Sequence, residues 1–202
     1  MLGKMVLSGE YMVYLIAGLL IFLGVHSVRI FADGWRTAQL AKLGEGAWKG
    51  IYSLLSLVGF GLLLWGYGMA RLEPTVLWVP PVATRHIAAA LMLIAMILLV
   101  AAYVPKNGIR ARLHHPMLLG VKTWALAHLL ANGNVADVLL FGLFLLWAVL
   151  CFIAAKKRDR AEGKVYPRGQ TLPTIATLVL GLLVYGAFVM GLHRWLMGVP
   201  VF

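Results

Sequence analysis

Apolar residues in this chain gather into long runs instead of alternating with polar ones, and the runs match the thickness of a bilayer. A membrane-crossing helix needs about 20 consecutive apolar residues. Met12–Val28 qualifies and is followed by Arg29 and Asp33. Trp48–Met69 is a second run, closed by Arg71, Glu73 and Pro74, and Ala83–Val104 a third, stopped by Pro105. Val135–Ala155 meets the cluster Lys156, Lys157, Arg158 and Arg160, and Thr174–Leu196 follows Pro173, a residue suited to a helix start. The remaining segment, Pro116–Leu130, contains Lys122 and His128. Its length covers only ~22 Å of the ~30 Å hydrocarbon core at 1.5 Å per residue. It reads as a short span shielded by its neighbours, with a re-entrant segment as the alternative. The pattern predicts an all-α integral membrane protein. It is a single transmembrane domain of about six helices, near 12–31, 48–69, 83–104, 116–130, 135–155 and 174–196.

Composition supports this reading. Hydrophobic residues make up 62% of the 202 and charged residues 12%, against about 45–50% and about 25% in soluble domains. Mean hydropathy is +0.89. A water-soluble globule of this size cannot hide so much hydrocarbon, and a disordered chain is too poor in apolar residues to have this composition.

The net charge of +11 belongs to loops at a membrane surface and implies no nucleic acid. Arg29, Arg36, Lys42 and Lys49 follow the first run; Lys106, Arg110 and Arg112 follow the third. Lys156, Lys157, Arg158, Arg160, Lys164 and Arg168 follow the fifth helix. The opposite side holds only Lys4, Arg71, Arg85 and Arg194. Because cytoplasmic loops are enriched in Lys and Arg, six helices place both termini on the non-cytoplasmic side of the membrane. The single cysteine, Cys151, excludes an internal disulfide. The first apolar run has no small-residue cleavage site and reads as retained.

Most catalytic signatures are missing: there is no GxSxG, HExxH, phosphate-binding loop or GxGxxG. Only Asp137 lies near a span edge, which argues against paired-carboxylate chemistry. Histidine stands out, because a polar side chain at membrane depth is expensive and usually functional. His26, in LGVHSVR, is either a ligand to metal or haem or a helix-packing residue. Extrapolating one helix back from His128 puts His114 on its face, within about 40°, and puts His115 with Lys122. His86, beside Arg85, opens the third helix as a ligand or a headgroup anchor, and His193 reads as an interface anchor. Gly59, Gly61, Gly66 and Gly68 suit close helix packing.

At HHPMLLGVKTWALAHLLANG (His114–Gly133) the chain resembles the NnrU family of bacterial membrane proteins. That family is associated with nitrite and nitric oxide metabolism and is similar to the 15-cis-ζ-carotene isomerase of plants and cyanobacteria. FLGVHSVRI, LGEGAWKGIYSLLSLVGFGLL, PPVATRHIAAALM and LLFGLFLLWAVLCFIAAKKRDR carry the likeness from about Tyr11 to Arg168. It implies haem b, with His26, His86 and His128 as matching histidines and His26 and His128 as axial ligands to the iron. It also suggests Lys122, Arg85 or Arg29 near the haem propionates. Where the family has Thr-Arg-His-Pro, this chain reads Leu-His-His-Pro, so His114 stands in the arginine position. Depth along antiparallel helices would instead pair His86 with His128, or His26 with His115. The resemblance leaves two activities open: nitrogen-oxide redox chemistry, and cis–trans isomerisation of a hydrophobic polyene. Membrane lipids, and copies of the chain itself as a homo-oligomer, are the other expected partners.

Overall fold

The computed structural model describes residues 2–201, with side chains from residue 11 onward. The elements are α1 (Leu2–Phe31), α2 (Asp33–Ala70), α3 (Val82–Tyr103), α4 (Gly108–Leu113), α5 (Pro116–Ala131), α6 (Val135–Ala161) and α7 (Thr171–Ala187). A π-helical turn (Phe188–Leu192) and α8 (His193–Met197) follow. Among the described residues there is no strand. Five helical stretches are long and apolar enough to cross a membrane, and Pro116–Ala131 is a shorter apolar helix. At its 16 residues, α5 rises about 24 Å, less than the hydrocarbon core.

The helices are longer at their polar ends than the apolar runs suggest. The stretch before Trp48 is helical from Asp33, broken only at Gly44, whose φ of 79° and ψ of 161° leave the helical region. Likewise α6 continues through Lys156–Arg160 to Ala161, so the connection to α7 begins later than the charge cluster. Lys, Arg and Ala are strong helix formers and extend a helix into water once an apolar run has nucleated it. The last span is interrupted near its end, where the π turn holds Gly191 at φ 150°.

The chain forms two compact units. The first holds residues 1–78 and 133–147; the second holds 79–132 and 148–202.

In the first unit α1 and α2 run antiparallel. A Cβ on Gly66 would meet the Leu15 backbone, one on Gly18 would meet Leu63, and one on Gly59 would lie 2.7 Å from the Phe22 nitrogen. These three glycines let the two backbones touch, the close approach that small residues give membrane helices. Gly61 and Gly68 have open space and take no part in it. Leu57, 68% exposed, points away from the core, as a lipid-facing leucine does. The start of α6 joins this unit through the Asp137 carboxylate. Asn134 donates from its backbone N (3.4 Å) and Nδ2 (2.8 Å) to Asp137 Oδ2, and Tyr67 Oη donates to Asp137 Oδ1 at 2.6 Å. Asp137, 2% exposed, is thus a fully engaged carboxylate.

In the second unit α3 packs on α5 and α7. Gly120 admits Leu99, and Gly181 admits Ile97. Asn107, 1% exposed, organises the α3–α4 corner: its Nδ2 donates to Ala101 O (2.8 Å) and its Oδ1 accepts from Arg110 N (2.8 Å). Thr174 Oγ1 on α7 accepts from Gly108 N at 2.7 Å, and Gln170 N donates to Lys106 O at 2.8 Å.

Candidate functional site

His26 lies on α1 one helical turn beyond Phe22. Its Nδ1 is 2.7 Å from Phe22 O. A carbonyl only accepts, so Nδ1 carries the proton and Nε2 is the nitrogen with the lone pair. Nε2 has no hydrogen-bond partner among the described residues. A hydrogen bond of this kind, from the far ring nitrogen to a carbonyl, fixes the tautomer and orientation of metal-ligating imidazoles.

Aromatic rings surround the imidazole. Phe22 lies 4.2 Å away between centroids, with Tyr52 at 5.3 Å and Trp147 edge-on at 6.2 Å. Trp147 Nε1 is buried without a partner, and so is Ser56 Oγ, one turn from Tyr52 on α2. An unmatched buried donor costs about 1–3 kcal/mol. Two of them on helices that flank one histidine are groups a ligand would satisfy.

A cleft of about 370 Å³ adjoins the imidazole, lined in part by Val25, Leu40, Trp48 and Tyr52, with Arg29, Arg36 and Lys49 among its cations. Two carboxylates partly offset the charge: Asp33 with Arg36 (3.6 Å) and Arg29 (3.9 Å), and Glu45 with Lys49 (2.6 Å).

In the second unit His128 repeats the His26 arrangement, with Nδ1 3.0 Å from Trp124 O and the Trp124 ring 5.3 Å away. His86 and Arg85 lie exposed in the first turn of α3.

The stripe expected from His114 to His128 does not form. Helix α5 begins at Pro116, whose ring starts the helix at that point. His114 lies before it at φ 65° and ψ −49°, and His115 N donates to Leu113 O at 2.7 Å. This is a γ-turn with positive φ, rare and strained. His115 and Lys122 nevertheless meet, at the Phe152 ring of α6, at 6.0 Å and 4.8 Å.

The turn presents two imidazoles to different partners. His114 stacks flat on Tyr166, 4.0 Å between centroids and 4° between planes. His115 Nε2 lies 2.7 Å from Asp159 Oδ2, which also accepts from Tyr166 Oη at 2.7 Å, while Lys164 Nζ is 3.5 Å from Oδ1. Burial holds the His115 imidazole below its usual pKa, against the pull of Asp159. Burial also raises the Tyr166 phenol.

Asp159 and Tyr166 escape the sequence reading. The available signal was a lone acid inside the run Lys156–Arg160, a residue that four neighbouring cations would not select without a partner. Among the described residues no group of three or more His, Cys, Asp or Glu is arranged to hold a metal ion.

The NnrU protein family model matches residues 14–201. The chain belongs to the NnrU family. No curated protein and no solved structure matches it. The match takes in both anchored histidines, His26 and His128, and the His114–His115 turn of this NnrU protein.

Proposed function

We infer that this NnrU protein binds haem b in the bacterial inner membrane, with His26 and His128 as the histidines that would hold the iron, and serves nitrite and nitric oxide redox metabolism. The observation that carries the reading is the His26 site. Its Nε2 is oriented by the Nδ1 bond to Phe22 O and walled by aromatic rings, with the orphaned Trp147 Nε1 alongside.

The donor set fits a porphyrin. Neutral imidazole suits haem iron, aromatic faces suit a flat macrocycle, and Arg29, Arg36 and Lys49 suit propionates. His128 Nδ1 is likewise held by a backbone carbonyl, which orients its ring. When bound, haem would supply one-electron redox chemistry and an iron centre for small nitrogen oxides. The protein's part is to orient the imidazoles, exclude water with Phe22, Tyr52 and Trp147, and neutralise carboxylates from the cleft rim. The basic loops are proposed to face the cytoplasm.

A second reading draws on the apolar side of the same cleft. Val25, Val28, Leu40 and Trp48 give it a wall suited to hydrocarbon, as cis–trans isomerisation of a polyene would require.

The test is the visible spectrum of the detergent-solubilised protein, expressed with haem supplied, oxidised and then reduced. A Soret band that shifts on reduction, and is diminished in both His26→Ala and His128→Ala while the variants stay folded, is expected. A folded wild-type protein without that band overturns the reading. Conversion of a cis-polyene to the all-trans form by the haem-loaded protein would select the second activity.

A further inference from the structure

The Phe152 ring in the second unit is the meeting point of three basic side chains. Lys122 Nζ, from the middle of α5, lies 4.8 Å from its centroid, and Lys156 Nζ, one turn along α6, lies 5.6 Å from it. His115 approaches the same ring edge-on at 6.0 Å. Cation–π contact stabilises an ammonium only modestly and does not neutralise it.

The nearby carboxylate is already committed. Asp159 serves His115, Tyr166 and Lys164, through bonds of 2.7, 2.7 and 3.5 Å. Among the described residues neither Lys122 nor Lys156 has an ion-pair partner. Lys122 is partly buried on an apolar helix, where an uncompensated charge is costly. Solvation by open water explains Lys156, which is exposed, but explains Lys122 poorly.

We propose that Lys122 and Lys156, drawn together at Phe152, form a binding site for a phosphate-bearing anion, supplied by the headgroup of an anionic phospholipid. Lys156 at the basic end of α6 and Lys122 beside it supply two ammonium groups, one for each free oxygen of a singly charged phosphodiester, while the neighbouring apolar helix surface takes the acyl chains. Exposed Ile153, one residue past the ring, belongs to that surface. The site shares no residue with the His26 cleft, so its failure leaves the haem reading standing.

The experiment compares the full-length protein in phosphatidylcholine nanodiscs with and without phosphatidylglycerol, reading thermal stability and the phosphatidylglycerol retained after delipidation. Phosphatidylglycerol is expected to stabilise the wild type, and Lys122→Gln/Lys156→Gln to reduce its retention about tenfold. Lys157→Gln/Arg160→Gln removes the same formal charge from the same helix end and is expected to keep most of it. Equal loss in both variants would mean diffuse attraction and overturn the site. Inorganic phosphate is the second probe: equal stabilisation in phosphatidylcholine alone would keep the anion site and assign it to the soluble ion. Loss of the haem Soret band in the lysine variant, with lipid retention unchanged, would overturn the proposal and give Lys122 to a propionate.

Discussion

His115 Nε2 and the Asp159 carboxylate meet at 2.7 Å across 44 residues of chain. The bond ties the entry of α5 to the last turn of α6 within one unit. Tyr166 and Lys164 close around the same two oxygens. Replacing Asp159 with Ala strands the His115 and Tyr166 donors at once, so thermal unfolding in detergent should show a loss of about 2 kcal/mol. Asp159→Asn, which keeps an acceptor, should lose less.

Acidification tests the same contact. The His115 pKa lies below its usual value because burial disfavours the charged ring. Between the folded value and the unfolded value of about 6.5, the unfolded chain binds more protons, so stability rises with pH there. The contribution is present in full above about pH 6.5 and is lost as the pH falls towards the folded value. A melting-temperature profile from pH 8 to pH 5 should therefore decline on the acid side, and His115→Gln should flatten it.

At position 114 the backbone and the ring make opposite demands. Glycine would release the φ of 65° but abandon the stack on Tyr166. Alanine would keep the strain and lose the stack as well. His114→Ala should be less stable than His114→Gly by about 1 kcal/mol, measured by thermal or denaturant unfolding.

The α1–α2 contact gives a test with its own control. Gly66→Ala drives a methyl into the Leu15 backbone and should cost about 1–3 kcal/mol. Gly61→Ala and Gly68→Ala project into open space and should be neutral or slightly stabilising in the same assay.

The apolar runs made the spans legible because span length depends on a property that sums along the chain. The polar ends of α2 and α6 extend beyond those runs for a related reason: hydropathy reports solvent preference, whereas Lys, Arg and Ala keep a helix going in water. Of the glycines in α2, sequence marked four as packing residues, but only Gly59 and Gly66 touch α1. The choice depends on helix rotation, which composition does not encode. His26 was legible as an expensive residue in an apolar run, yet its Nδ1 bond and the orphaned Trp147 Nε1 required coordinates. The His114–His128 face failed because Pro116 resets the helix start, so angles counted back across it have no meaning.

Gly169 packs directly against the Gly108 backbone, and Lys164 N and Gln170 N bond to Asp159 O and Lys106 O. The segment between those anchors carries Lys164 and Arg168, both exposed and both residues after which trypsin cuts. A protease needs several residues of slack chain to thread its cleft. Sutured at both ends, this stretch should survive limited digestion in the intact protein. It should become cleavable once Gly169 carries a side chain that pries the suture apart.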